Sequence, residues 1–272
     1  MKGKAFIRVP EDRMKKISPI ALMAWLVFMS SSVGVLSAQP RLMIATNNYE
    51  PFYGESLPGK GPFLEVVQAA FAKAGYSTEI EFLPWARVIV SGETGKCDVV
   101  AGIWSNAGRE KWMAISDPIM ENEIGLFKRK SDPLRFSGFP DLGNQDIVVG
   151  TVAGYINPKG MEKAGIRTEE VPEDALNVQK LVNGRIRLAL MDRQLGIYVA
   201  GRLNLLDRIE WMATLEYLPL RIGMIKTAEG DWQMKLADFN SALLAMKKDG
   251  TLAAILARHG FGSPPDARIL PR

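Results

Sequence analysis

Arg109 is the side chain in this sequence best suited to hold an anion, because a planar guanidinium grips a carboxylate through two parallel charge-assisted hydrogen bonds. It follows Gly102-Ile-Trp-Ser-Asn-Ala-Gly108, which sets Trp104, Ser105, Asn106 and fresh backbone N–H groups at the end of a predicted strand. The competing reading is an exposed arginine at a helix start beside Glu110 and Lys111. Asp192 closes the apolar run Leu188-Ala-Leu-Met191 and opens a helix, so its carboxylate suits a bound ammonium, a helix cap, or both. Thr151, within Gly150-Thr-Val-Ala-Gly154, offers a hydroxyl beyond another strand, where helix N–H groups favour an anionic group. Tyr49, Phe52, Tyr53, Trp85 and Trp104 fall in or beside strand ends, and two or three of them are expected to wall a pocket, where a cation can sit over a ring face. Glu50 and Glu55 are the nearest carboxylates. Either would serve as a general acid or base if burial raised its pKa, but the sequence shows no partner at catalytic distance, and Glu55 reads as a surface residue.

Other chemistries are poorly supplied. The glycine pair around Thr151 lacks the Gly-Lys-Ser/Thr ending of a phosphate-binding loop, and no dinucleotide fingerprint occurs. Cys97 is the single cysteine, so no intramolecular disulfide can form, and it reads as a small buried hydrophobe. His259 is the single histidine, which disfavours a histidine-rich metal site or a Ser-His-Asp triad; it reads as a helix-end residue. Neither a cofactor nor a metal is expected.

The N-terminus has the order of an export signal: Lys15 and Lys16, an apolar run over residues 20–29, then small residues to Ala38. A ten-residue apolar core is short against the roughly 20 residues that span a bilayer. Cleavage is expected after Ala38, with Ser37 the alternative, and Met14 is a possible second start. The whole chain has 34 Lys plus Arg against 30 Asp plus Glu, but six basic and two acidic residues lie in the leader, leaving 28 of each sign. The apparent basicity belongs to the leader, so a nucleic-acid partner is not expected.

The elements that must position these residues follow in strand–helix alternation. A strand over 41–46 precedes a helix from Pro62, whose apolar positions Phe63, Val66, Val67, Ala70, Phe71 and Ala74 form one stripe. A strand over 78–83, a helix over 85–93 and a strand over 98–101 complete the first unit. The pattern restarts at Ile147, with strands near 147–149, 168–171 and 187–191, intervening helices to about 164 and over 173–182, and a helix over 193–200. A strand over 220–226 and helices over 232–246 and 251–258 close the chain. The order predicts two α/β lobes of mostly parallel sheet flanked by helices, with one large sheet as the alternative. Parallel sheets place ligands beyond the carboxyl ends of their strands, which gathers the residues above at one cleft. The expected division is residues 39–128 with 222–272 as the first lobe and 129–221 as the second, with crossings near 127–132 and 218–222.

The chain resembles the family-3 extracellular solute-binding proteins, which include the periplasmic amino-acid-binding components of ABC importers. The marks run from about residue 41 to 261: Ala45-Thr-Asn-Asn-Tyr-Glu-Pro-Phe52, Gly61-Pro-Phe-Leu-Glu-Val-Val67, Trp85 with Ser91-Gly-Glu-Thr-Gly-Lys-Cys-Asp98, Arg109-Glu-Lys with Ile115-Ser-Asp-Pro118, Asn183 to Asp192, and Lys248-Asp-Gly-Thr-Leu. The resemblance implies a type II periplasmic-binding-protein fold, Arg109 as clamp for a ligand α-carboxylate and Asp192 as acceptor for its α-ammonium. It also implies Thr151 as a second-lobe hydroxyl near the carboxylate, and Tyr49 and Phe52 as walls of the side-chain pocket. Trp104-Ser-Asn-Ala-Gly108 departs from the threonine-rich run usual before the arginine, which points to a less characterised branch and opens the ligand beyond standard amino acids. The implied role is a non-catalytic, monomeric periplasmic binder that captures a small polar solute by lobe closure and delivers it to an inner-membrane ABC permease. A sensory module and a dehydratase on the same scaffold are the alternatives; fold alone does not decide among them.

Overall fold

The computed structural model describes residues 39–262 apart from residues 144, 146, 228 and 229; the expected leader lies outside the described residues. The chain opens with β1 (Arg41–Thr46), α1 (Pro62–Lys73), β2 (Ser77–Phe82), α2 (Trp85–Glu93) and β3 (Val99–Ile103). Pro62 stands in the first turn of α1, where a missing N–H costs nothing. Phe63, Val66, Val67, Ala70 and Phe71 are fully buried, so the apolar stripe faces the core as its spacing requires. The short β4 (Met113–Ile115) and the longer β5 (Met120–Arg129) follow.

The second run comprises α3 (Phe139–Gly143), β6 (Val148–Val152), α4 (Lys159–Lys163), β7 (Arg167–Val171), α5 (Asp174–Val182), β8 (Leu188–Asp192) and α6 (Arg193–Arg202). The 17-residue strand β9 (Ile209–Ile225) then returns the chain to α7 (Trp232–Lys248) and α8 (Thr251–Arg258). These helices pack on α1 through Phe239, Leu243, Leu252 and Leu256, all buried.

Strand order is β2-β1-β3-β9-β5-β8-β6-β7, with β4 also on β9. Each lobe keeps a parallel centre, β1 with β2 and β3 in one, β6 with β7 and β8 in the other. The strands that join them, β5 and β9, pair antiparallel, so the sheets are mixed. A single strand serves both lobes: residues 209–220 of β9 lie on β5, while residues 221–225 lie on β3 and β4. This places residues 120–128 among the strands of the second lobe, whereas the sequence grouped them with the first. The sequence also anticipated only the last third of β9. Its earlier part has no clean alternation and carries Pro219, a residue that argues against a strand unless neighbours supply the pairing.

Candidate functional site

The ends of six parallel-laid strands converge on one cleft. The segment after β1 contributes Asn47, Tyr49 and Glu50; the one after β2, Trp85; the one after β3, Trp104 and Arg109. Opposite them stand Gly154 and Tyr155 after β6, Asp174 after β7 and Asp192 at the end of β8.

Arg109 is buried, 7% exposed, which removes the reading of a solvated helix-start arginine. Its Nη1 donates to the Trp104 carbonyl at 2.8 Å and its Nη2 to the Gly154 carbonyl at 2.9 Å, and its guanidinium lies 5.4 Å from the centre of the Trp85 ring. Burial lowers its pKa to about 10, so it remains a cation at neutral pH. Among the described residues no carboxylate pairs with it. Trp85 donates its Nε1–H to the same Gly154 carbonyl at 2.9 Å, so one acceptor of the second lobe receives two donors of the first. Gly154 has φ +83°, and a Cβ there would stand 3.3 Å from Trp85 Cδ1; glycine permits both the turn and the approach.

Tyr155 projects into the ring cluster of the first lobe, with centroids 5.8 Å from Trp104, 6.1 Å from Trp85 and 6.3 Å from Tyr49. The space left beside Arg109 is about 10 Å³, lined by Asn47, Tyr49, Tyr53, Trp85, Trp104 and Tyr155 among others. The Tyr49 hydroxyl is buried without a hydrogen-bond partner among the described residues, and burial raises its pKa well above the usual phenol value. A second, larger cavity of about 400 Å³ adjoins it and shares Asn47, Trp85 and Tyr155 as walls. Its charged lining residues are Glu50, Glu55, Glu173 and Asp174, all acidic.

Asp192 is 1% exposed. Its Oδ1 accepts from the N–H groups of Gln194 at 2.8 Å and Leu195 at 3.0 Å, the cap of α6, and its Oδ2 from Glu123 N–H at 3.0 Å. Burial lifts its pKa to about 7 against the pull of those amides. The capping role is therefore realised, and both oxygens are engaged. Thr151 is wholly buried within β6, its hydroxyl on Asn157 Oδ1 at 3.0 Å, and it lines neither cavity. Its neighbours Gly154 and Tyr155 face the cleft instead. Phe52 is a core ring against Tyr49 and Phe261. Ser105 is exposed and donates to Glu110. Trp104 lines the small cavity and donates its Nε1–H to Asn122 at 2.9 Å. Glu50 and Glu55 both line the large one, Glu55 included despite its surface character.

Tyr155, Asp174, Asn47 and Glu173 were not singled out by sequence reasoning. Asn47 directly follows β1 and the other three stand two or three residues past a strand end, so the strand-end rule that selected Arg109 could have found them; their types alone gave no signal. Among the described residues no cluster of three or more His, Cys, Asp or Glu could hold a metal ion, and no helix is long and apolar enough to cross a membrane.

Two lobes joined by antiparallel crossing strands, with a cleft at the ends of their parallel strands, define the periplasmic-binding-protein fold. The chain belongs to the bacterial extracellular solute-binding proteins, family 3, whose model matches residues 42–263. An ancestral arginine-binding protein solved with arginine superimposes with a TM-score of 0.69 at 23% identity, covering 82% of this chain and 98% of that one. The GluR0 ligand-binding core from Nostoc punctiforme, in complex with L-glutamate, gives 0.67 at 20% identity over 80% and 98%. A histidine kinase sensor domain with similarity to periplasmic binding proteins gives 0.67 at 20% over 80% and 95%. These likenesses are of fold. No match is found among curated proteins.

Proposed function

We propose that the protein is a periplasmic solute-binding protein that captures a small carboxylate-bearing, amino-acid-like solute between its lobes and hands it to an ABC-type importer. The observation that carries this reading is Arg109, a buried cation in an aromatic cavity that pairs with no carboxylate among the described residues. Among the described residues, two of the five N–H donors of the guanidinium are spent, both on neutral carbonyls. A solute carboxylate makes shorter and stronger charge-assisted bonds than a carbonyl does, so it displaces the Gly154 oxygen from Arg109 when the loop over residues 153–157 draws back. Tyr49, whose buried hydroxyl has no partner among the described residues, lines the same space and offers a further donor.

Closure follows from differential affinity, since only the closed arrangement lets both lobes touch the solute. The hinge in this proposal lies where the lobes exchange strands, at residues 119–120 and 220–221. The test is a thermal-melt screen of the purified protein against amino acids, simple carboxylates, amines and sugars. A ligand held only by the folded state at 100 times its Kd adds about 2.7 kcal/mol of apparent stability. A shift with a carboxylate-bearing solute that disappears in Arg109→Met supports the proposal. Shifts only with uncharged sugars, or shifts unchanged in Arg109→Met, refute it.

A further inference from the structure

The segment that closes over Arg109 presents two groups side by side, a carbonyl and a ring. The Gly154 carbonyl accepts Arg109 Nη2–H and Trp85 Nε1–H, each at 2.9 Å. The Tyr155 ring meets Trp104, Trp85 and Tyr49 near edge to face, at interplanar angles of 65°, 79° and 62°. That is an arrangement the ring quadrupole favours. The rings that hold it come from the segments after β3, β2 and β1 and are 8%, 4% and 3% exposed, whereas Tyr155 is only partly buried. Gly154 and Tyr155 belong to the other lobe. Ala153 N–H donates to the Val171 carbonyl at 2.9 Å and Tyr155 N–H to the Val152 carbonyl at 3.0 Å, so carbonyl and ring withdraw together. With them in place the space beside Arg109 is about 10 Å³, room for one water at most. Their withdrawal leaves an acceptor position at Arg109 and a slot the shape of a ring.

We infer that the solute carries an aromatic ring as well as a carboxylate, and that Gly154 and Tyr155 hold its place as an internal competitor. In that segment the carbonyl carbon reaches the ring through the peptide nitrogen, Cα and Cβ, the spacing of a carboxylate joined to a ring by a short flexible chain. Such a molecule refills both vacancies at once, its carboxylate on Arg109 and the Trp85 N–H, its ring among Tyr49, Trp85 and Trp104. A ringless carboxylate refills only the first and leaves three buried aromatic faces without a partner. A saturated ring fills the volume but lacks the negative face and positive edge that tilted aromatic pairs use. A permanent wall and a competitor are told apart by sign. Removing a wall weakens binding, whereas removing a competitor tightens it, because the open state is then populated before solute arrives. The inference rests on the solute-binding reading and specifies its solute.

The experiment is calorimetric titration of the purified protein with phenylbutyrate, cyclohexylbutyrate, butyrate and phenylbutanol, and with phenylalanine against leucine. From the geometry, phenylbutyrate should bind at least about tenfold tighter than butyrate and about threefold tighter than cyclohexylbutyrate, or phenylalanine about tenfold tighter than leucine. Tyr155→Ala should tighten the ring-bearing carboxylate by about threefold or more, as loss of a competitor requires. Unchanged or weaker binding in that variant makes Tyr155 a wall and overturns the inference. If the variant does not fold, the comparison of ring-bearing, saturated and ringless probes on the unaltered protein decides alone. Carboxylates that bind equally with and without an aromatic ring, and depend on Arg109, overturn this inference and leave the proposed function standing. Phenylbutanol binding as tightly as phenylbutyrate supports the ring slot and overturns the carboxylate clamp. Binding of none of the probes overturns both readings.

Discussion

Asp192 and Asp174 occupy similar stations, each a buried carboxylate at the meeting of a strand and a helix, yet they differ in what their oxygens touch. Asp192 binds α6 to β5 through three amides. Asp192→Ala leaves those donors unmet and is expected to lower unfolding free energy by about 2 kcal/mol or more, read as a lower urea midpoint at unchanged slope. Stability unchanged within error would mean that water replaces the carboxylate without cost. Asp174 has a pKa of about 7, raised first by burial and then by Glu173 and Glu50. Because this lies above its unfolded value, the folded state holds the extra proton, so the contribution is full below about pH 4 and is lost as pH rises through 7. Asp132 runs the other way, its pKa lowered by Arg187, so its contribution is lost as pH falls below the usual carboxylate range. The protein without added solute is expected to melt at a higher temperature at pH 5 than at pH 8, with a shallower fall in Asp174→Asn. A melting temperature that rises over that interval, or an equal slope in the variant, would contradict the assignment.

The elements show which parts of the sequence speak for themselves. Helix α1 was legible because its stripe is buried on one side, and β1, β2, α2, α5 and α8 because periodicity and glycine punctuation agree. Strand β9 was largely illegible, since Pro219 and a run without alternation give no local instruction and the strand forms because β5 lies beside it. Gly102 shows the same dependence on partners. It sits in β3 at φ +80°, at a register shift against β9, and a Cβ there would meet Tyr53 Oη at 2.0 Å. Gly102→Ala is expected to cost on the order of 2 kcal/mol from strained backbone and displaced ring together. Thermal unfolding of the variant checks this; a loss under 0.5 kcal/mol, an order-of-magnitude threshold for benign surface changes, would show that Tyr53 yields freely. The candidate site was legible to the same depth. Strand ends told where to look, but whether Thr151 or Tyr155 faced the cleft depended on where a turn begins, which spacing does not state.

For the whole molecule, Gly154 is a focus of polar contact between the two lobes, since its carbonyl receives donors from both Trp85 and Arg109. Trp85→Phe keeps a ring against Tyr155 and Arg109 while removing one of the two donors to the Gly154 carbonyl. The expected outcome is a larger radius of gyration in small-angle scattering without added solute, with an unfolding transition of unchanged cooperativity. An unchanged radius would show that the aromatic cluster alone holds the lobes together. The two-lobed plan itself was readable from the restart of the strand–helix pattern at Ile147. The exact division between lobes was harder to read, because β9 passes from β5 to β3 and β4 at residues 220–221 without a break in the strand.

The shared carbonyl of Gly154 also bears on time. With Arg109 and Trp85 both fastened to it and Tyr155 seated among the rings, the space beside Arg109 opens only when the segment over residues 153–157 lets go of all of them. Solute must wait for the whole latch to release, both to enter and to leave. At low concentration the observed association rate should therefore rise with solute, then level off at the opening rate instead of climbing without limit. Such a protein trades speed of capture for length of hold, so a solute once enclosed stays long enough for a slow encounter with a membrane partner.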